Sequence, residues 1–198
     1  MTTRSQPPTW GEAASLEDLG ETMAQFLEGR VSVAPTHGPL DPETAELVES
    51  LAAINRAGLI TYSSQPTDPA LSITAFVVGL CTETTAGRVC CNLTGTGLVA
   101  AVVGPPGYRK DLLVAGDRVW SLDGPADVAG ILADASPRAR TELEAAWQLL
   151  VIDPDPRTGW RLWEILPAAL LAARTHPAPV HAEPPPARVV PRASGRRV

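Results

Sequence analysis

The sequence predicts an α/β fold, with α+β as the alternative: one domain in which helices flank a mixed central sheet of about four or five strands. Three observations lead to this prediction. The 198 residues are enough for one hydrophobic core and too few for two of ordinary size. Apolar residues make up 44% of the chain and charged residues 19%, which is typical of globular proteins and excludes global disorder. Segments with helical spacing of apolar residues alternate with short segments rich in β-branched residues.

Two helices are predicted in the N-terminal part of the chain. The first begins after Ser15, a favourable N-cap, and ends at Gly29. The second is capped by Asp41, has Pro42 at its first position and ends at Gly58. The apolar residues expected to face the core are Leu16, Leu19, Met23, Phe26 and Leu27 in the first helix and Leu47, Leu51 and Ile54 in the second.

Short strands are predicted to follow the second helix. Residues 59–62 form the first strand, which ends at a polar Ser/Gln/Pro turn, and residues 71–80 form the second. Residues 98–103 form a third strand, and their continuous apolar run indicates burial on both faces. A short helix capped by Thr82 lies between the second and third strands, and a hairpin is predicted within residues 112–122.

The C-terminal part of the domain is predicted to be helical. Ser136 followed by Pro137 indicates the start of a helix that continues to about Ile152. An acidic, proline-rich segment breaks it, and a last helix covers residues 160–173, where Pro167 kinks or restarts it. The residues expected to face the core are Leu143, Trp147 and Leu150 in the former helix and Trp160, Trp163, Leu166 and Leu170 in the latter.

These elements define the predicted domain organisation. Residues 1–9 form a flexible N-terminus, residues 10–173 form the α/β domain, and residues 174–198 form a disordered tail rich in proline and arginine. The tail carries five arginines and one glutamate, so the net charge of −6 hides a more acidic domain. An acidic domain repels phosphate backbones, which disfavours duplex nucleic acid as a partner.

The sequence predicts a cytoplasmic protein. The N-terminus has no apolar segment typical of a signal peptide, and no apolar run approaches the roughly 18 residues that span a bilayer. Cys81, Cys90 and Cys91 are therefore expected to be reduced thiols. No metal site or cofactor is predicted. No histidine lies near Cys90 and Cys91 in the sequence, and the glycine pair at Gly95 and Gly97 precedes a strand, the wrong order for a dinucleotide fingerprint.

The most distinctive segment is 55–67, where a helix end, a strand and a polar turn follow one another with almost no spare residues. Ser63, Ser64 and Gln65 lie after the predicted strand, where α/β sheets place ligand contacts, and offer hydroxyl and amide groups. The alternative is that Ser64 and Gln65 bond the neighbouring backbone and only fix the turn before Pro66.

Three classes of function remain open from the sequence. The leading hypothesis is a noncatalytic domain that binds a small molecule or a protein partner through Ser63, Ser64 and Gln65. The second is a small enzyme acting on an anionic or nucleotide-like substrate, with His37 as general base and Arg56 or Arg109 as an anion anchor. The third is an interaction or immunity-type protein that presents its acidic surface to a basic partner. Neither the ligand nor the oligomeric state follows from the residues.

Other candidate residues have simpler interpretations. Cys90 and Cys91 are adjacent on a predicted helix with no histidine nearby, so buried, unreactive thiols are expected. Trp147, Trp160 and Trp163 stand at helical spacing, which favours packing over stacking on a ligand. The segment 104–110 ends in two cations and is read as a surface turn, with anion binding as the alternative.

Parts of the sequence also resemble an actinobacterial domain family of unknown function. In that family a helix ending in Asn-Arg-Ala-Gly leads into a strand and a Ser-Gln-Pro turn, usually followed by Gly, and then into a strand ending in Gly-Phe. This chain has Thr67 at the position of that Gly and Leu80 at the position of that Phe. The resemblance covers about residues 10–172 and implies a single fold, with no established activity, cofactor or partner. The segments that carry it are residues 15–30, 38–67, 73–80, 146–155 and 161–170.

Overall fold

The computed structural model confirms the predicted fold class: helices and a sheet form a single α/β domain. It describes residues 9–31, 40–105, 111–115, 118–122 and 135–175. The expectations for the N-terminal residues 1–8, for His37, for Arg109 and for the tail beyond residue 175 lie outside these ranges. None of the helices within them is long and apolar enough to cross a membrane.

The elements alternate along the chain. A 3-10 helix, Pro42–Leu47, lies directly before the second α-helix. The α-helices are α1 (Leu16–Leu27), α2 (Val48–Arg56), α3 (Glu83–Asn92), α4 (Pro137–Glu144) and α5 (Trp160–Thr175). The strands are β1 (Ile60–Gln65), β2 (Phe76–Cys81), β3 (Val99–Val103), β4 (Asp111–Ala115), β5 (Arg118–Leu122) and β6 (Trp147–Ile152).

The main sheet has four strands in the order β1-β2-β6-β3, and all three pairings are antiparallel. The sequence predicts a mixed sheet, so the strand directions differ from the prediction. The last of the described strands, β6, enters between β2 and β3 and runs opposite to both, which leaves no parallel pair among the described strands. A separate hairpin of β4 and β5 confirms the predicted antiparallel pairing, and β4 contacts β3.

Strand β6 overturns one prediction. Residues 147–152 were predicted to continue the helix that begins after Ser136, but α4 ends at Glu144 and the chain becomes a strand at Trp147. A short apolar run fits a buried strand as well as a buried helix. The neighbours decide here, because β6 has a strand on each side and five of its six residues are buried.

The other strands differ from the predictions in their limits. Strand β1 continues through the predicted turn to Gln65, because residues 63–65 pair with β2. Strand β2 begins at Phe76, five residues later than predicted, since the preceding segment forms a turn closed by Asp68 and Ile73. Strand β3 is at the edge of the sheet; its side chains contact the apolar clusters on both faces, but four of its five residues are half-buried, so the predicted burial on both faces is only partial.

The helix caps follow the sequence closely. Ser15, Thr82 and Ser136 each accept a hydrogen bond from a backbone N–H in the first turn, as predicted for N-caps. Asp41 makes no such bond, and the turn after it is a 3-10 helix, so its predicted capping role is wrong. Helix α5 is continuous across Pro167.

The helices cover one face of the main sheet. Side chains of α1, α2, α3 and α5 form the principal core with alternate sheet residues such as Val77, Leu149 and Val151. A second, smaller apolar cluster lies on the opposite face and contains Val78, Val103, Leu150 and Ile152. The two clusters explain why β2 and β6 are apolar on both faces.

Candidate functional site

The distinctive segment 55–67 begins at the corner between α2 and β1. Asn55, in the last turn of α2, is 1% exposed. Its Nδ2 donates to the Leu51 carbonyl and to Thr61 Oγ1, both at 2.8 Å, and its Oδ1 accepts the backbone N–H of Thr61 at 2.9 Å. Gly58 follows in the left-handed conformation with φ of 100°, which ends the helix. Asn55 therefore fixes the start of β1 against α2.

Arg56 is held by two carboxylates of α1. Its guanidinium donates four hydrogen bonds, two to Glu21 at 2.9 and 3.2 Å and two to Glu28 at 2.6 and 2.9 Å. These bonds raise the pKa of Arg56 and lower the pKa values of both glutamates. A guanidinium has only five donors, so little of this cation is left for an anionic ligand. Arg56 thus joins α2 to α1.

A groove of about 420 Å³ lies beside Arg56. It is also lined by Glu17, Asp18, Glu21 and Arg174, and by none of the residues 63–65. Arg174 pairs with Glu17 at 2.6 Å, so both cations of the groove already have carboxylate partners. The groove offers no unpaired cation to an anionic substrate, and the structure does not bring the predicted anion anchor together with the serines.

Ser63, Ser64 and Gln65 belong to β1 and not to a turn. They lie opposite Val78, Val77 and Phe76 of β2. Ser63 is exposed, whereas Ser64 and Gln65 are half-buried. Gln65 Nε2 donates to Glu43 Oε2 of the 3-10 helix at 2.9 Å, which ties the end of the strand to that helix.

Part of the β1 backbone points outward, away from β2. Thr61 donates its N–H to Asn55, so this N–H points away from β2. Gly79 lies opposite Thr61 and Val77 lies opposite Ser64; because they are two residues apart in β2, their backbone groups point to the same side. The N–H and C=O of Ser64 therefore also point away from β2. Strand β1 is at the end of the sheet, with β2 as its single neighbour among the described strands.

A β-bulge at Tyr62 separates the two halves of this edge. The register between β1 and β2 shifts between Thr61 and Ser63, which leaves Tyr62 as the extra residue. Its hydroxyl accepts a hydrogen bond from Nε2 of Gln148 in β6, and burial raises the pKa of this phenol. Gln148 is 5% exposed, and its Oε1 has no partner within the described ranges. The Tyr62 side chain thus anchors the bulge to the middle of the sheet.

The flank of the open edge is acidic. Residues 40–55 contain four carboxylates and no arginine or lysine. The 3-10 helix within this segment contacts β1, most directly through the bond between Glu43 and Gln65. The four carboxylates are exposed: Asp41, Glu43, Glu46 and Glu49.

The three cysteines are free thiols, as predicted. Burial raises the pKa of Cys81 to about 12 and that of Cys90 to about 11, so neither is a nucleophile near neutral pH. Cys91 is exposed, which makes the prediction of burial wrong for this residue: it lies on the solvent side of α3. In the described ranges, no three His, Cys, Asp or Glu side chains come together as metal ligands.

One ion pair between a buried carboxylate and a partly exposed arginine was not predicted from the sequence. Asp153, immediately after β6, is fully buried and accepts hydrogen bonds from Arg161 Nη2 at 2.8 Å and Nε at 3.2 Å. The backbone N–H of Asp155 adds a third bond at 3.2 Å. The pair fastens the start of α5 to the end of the central strand. The signal in the sequence is an Asp that ends an apolar run, with an Arg in the first turn of the next helix.

The fold and the geometry above define an α/β domain whose polar candidate residues lie on an edge strand, beside an acidic flank. The model of the family described as domain of unknown function (DUF6919) matches residues 5–173, and the chain belongs to this family. Comparison with curated proteins found no match.

Proposed function

We propose that this protein is a partner-binding domain that takes up an extended, basic segment of another protein as an additional strand beside β1. The recognition edge consists of Ser63, Ser64 and Gln65, the part of β1 that follows the bulge. The proposal includes the cytoplasmic location predicted from the sequence and the actinobacterial origin implied by the family resemblance.

The observation that carries the proposal is the direction of the Ser64 backbone. Its N–H and C=O point away from β2 on a strand that has no second neighbour among the described strands. Addition of a peptide strand to an open sheet edge is a recurrent mode of recognition, in which backbone hydrogen bonds supply the affinity. At Thr61 the outward N–H is already taken by Asn55, so the free part of the edge begins after the bulge.

The charge of the flank supports a basic partner. Asp41, Glu43, Glu46 and Glu49 are exposed on the segment that contacts β1, and no cation in this segment compensates them. Complementary charge raises the rate of encounter and excludes partners of the wrong sign. The free edge is short, so selectivity in this proposal comes from these carboxylates rather than from the backbone alone.

The test uses a short synthetic peptide of alternating arginine and valine with blocked ends, titrated into the full chain by calorimetry. Ser64→Pro removes the outward N–H without touching the ladder to β2, and we expect it to weaken binding at least about tenfold. Thr84→Pro is the matched control, because Thr84 is exposed in the first turn of α3, where proline is tolerated.

Two further results complete the test. A peptide of alternating glutamate and valine should not bind, because the flank repels it. Thermal unfolding of Ser64→Pro should match that of Thr84→Pro, which shows that the strand is intact. If the folded Ser64→Pro chain binds the basic peptide as tightly as the Thr84→Pro chain, β1 is not the binding edge and the proposal is wrong.

A further inference from the structure

The end of α5 lies close to the start of β1. Arg174, in the last turn of α5, donates a hydrogen bond to the backbone carbonyl of Arg56 and pairs with Glu17 at 2.6 Å. Strand β1 begins at Ile60, four residues after Arg56. The chain that leaves α5 at Thr175 therefore starts beside the corner from which the recognition edge runs.

The sequence beyond α5 contains one segment suited to strand pairing. Residues 187–190 read Ala-Arg-Val-Val, with two adjacent β-branched residues, and lie between Pro186 and Pro191. Residues 176–198 carry four arginines and one glutamate. This composition is complementary in charge to the four exposed carboxylates on residues 40–55.

The connecting length is sufficient for these four residues to reach the edge. Eleven residues lie between Thr175 and Ala187, and an extended chain covers about 3.3 Å per residue, or roughly 36 Å. The six residues of β1 extend over only about 20 Å. Residues 187–190 can thus be placed beside residues 63–65 without moving α5.

We infer that the chain regulates its own recognition edge: residues 187–190 pair with the outer side of β1, while the nearby arginines face the acidic flank. This inference rests on the proposed function of the edge and names the segment that regulates binding there. An external basic segment must then displace the chain's own segment. The apparent association constant for the external segment is then the intrinsic constant multiplied by the fraction of molecules whose edge is unoccupied.

The first test measures amide hydrogen exchange at Ser64 by NMR in three versions of the full chain. Val189→Pro removes a backbone donor from the pairing segment, whereas Val180→Pro makes the same change outside it. We expect exchange at Ser64 to be about tenfold faster in Val189→Pro than in the wild type, as for an edge occupied about nine-tenths of the time. Val180→Pro should match the wild type.

Two outcomes of this first test overturn the inference. One is equal exchange at Ser64 in the wild type and Val189→Pro. The other is protection of Ser64 that rises with protein concentration, because the occupant is then the segment of a second copy and not of the same chain. The inference is supported if the protection of the Ser64 amide is independent of protein concentration and is lost only in Val189→Pro.

The second test separates this inference from the proposed function. The arginine–valine peptide should bind Val189→Pro about tenfold more tightly than the wild type or Val180→Pro. If it binds all three equally and Ser64→Pro still weakens it, the inference is wrong and the proposed function stands. If the peptide binds none of them, including Val189→Pro with its open edge, the proposed function is wrong.

Discussion

Asn55 shows how one buried side chain limits the proposed recognition edge. Its amide satisfies a helix carbonyl, a threonine hydroxyl and the outward N–H of Thr61. At Thr61 the Asn55 amide takes the place that a neighbouring strand would occupy. It makes no bond further along β1, so the edge is open only beyond the bulge. The sequence indicates that the segment from Asn55 onward is distinctive. It does not predict that the Asn55 amide is buried between α2 and β1, because its hydrogen bonds to Thr61 depend on how the two elements pack.

The first prediction concerns Asn55. We expect Asn55→Ala to lower the free energy of unfolding by about 2–3 kcal/mol, because the Thr61 N–H is left buried without a partner. Asn92→Ala is the control: Asn92 is exposed and donates one bond, to the Ala169 carbonyl, so its loss should cost less than about 1 kcal/mol. Urea denaturation of both variants measures the difference. Equal losses would contradict the structural role given to Asn55.

At the scale of elements, sequence reasoning succeeds where the signals are local. The caps at Ser15, Thr82 and Ser136 are correct because each depends on a few neighbouring residues. The prediction for strand β6 is wrong, because the apolar run Trp147–Ile152 fits a buried helix and a buried strand equally well. Its pairing with β2 and β3 decides that it is a strand. Residues 63–65 are predicted as a turn for the same reason. Their polar side chains can be read from the local sequence, whereas their pairing with β2 depends on residues distant in the chain.

The contact between α1 and α2 gives the second prediction. A Cβ added at Gly20 in α1 would lie 2.5 Å from the carbonyl oxygen of Asn55, so Gly20→Ala must push the helices apart and should cost about 1–3 kcal/mol. Gly87 in α3 is exposed with no atom within 4 Å of such a Cβ, and Gly87→Ala should stabilise the protein by up to about 1 kcal/mol.

The opposite signs make this pair informative, because both changes replace a helical glycine by alanine. Melting temperatures of the two variants provide the measurement. Stabilisation by Gly20→Ala would show that the helices do not approach as closely as the structure requires.

At the scale of the whole molecule, ion pairs join separate parts of the chain around the start of β1. Arg56 connects α2 to α1, and Arg174 connects the end of α5 to both helices. The groove between them is therefore a structural junction, and both of its cations are already paired with carboxylates. Under the proposed function its position matters because it brings the end of α5 beside the recognition edge. Sequence reasoning named Arg56 as an anion anchor and could not have found these carboxylates, which lie 28 and 35 positions away.

The third prediction is a pH dependence that follows from this junction. Arg56 lowers the pKa values of Glu21 and Glu28, so its stabilisation is complete above their unfolded pKa near 4.3 and is lost as the pH falls through the lowered folded values. Arg56→Gln should reduce the free energy of unfolding at pH 7 by about 1 kcal/mol, a modest value because the groups are partly exposed.

The difference between the wild type and Arg56→Gln should shrink steadily below pH 4. Arg138→Gln serves as the control, because Arg138 is exposed and has no ion pair within the described ranges; it removes the same charge without removing a carboxylate partner. Urea denaturation across this pH range measures all three chains. If the difference in unfolding free energy between the wild type and Arg56→Gln stays constant down to pH 2, the pKa values of Glu21 and Glu28 do not depend on Arg56.

The most direct measurement is amide exchange at two neighbouring residues, Ser64 and Gln65, in the Val189→Pro chain with and without the arginine–valine peptide. Gln65 lies opposite Phe76, one residue along β2 from Val77, so its N–H faces β2 and should exchange slowly in both samples. Ser64 should exchange rapidly alone and slowly with saturating peptide. Slow exchange at Ser64 without peptide, or no slowing when peptide is added, would contradict the claim that β1 is an open edge that accepts a strand.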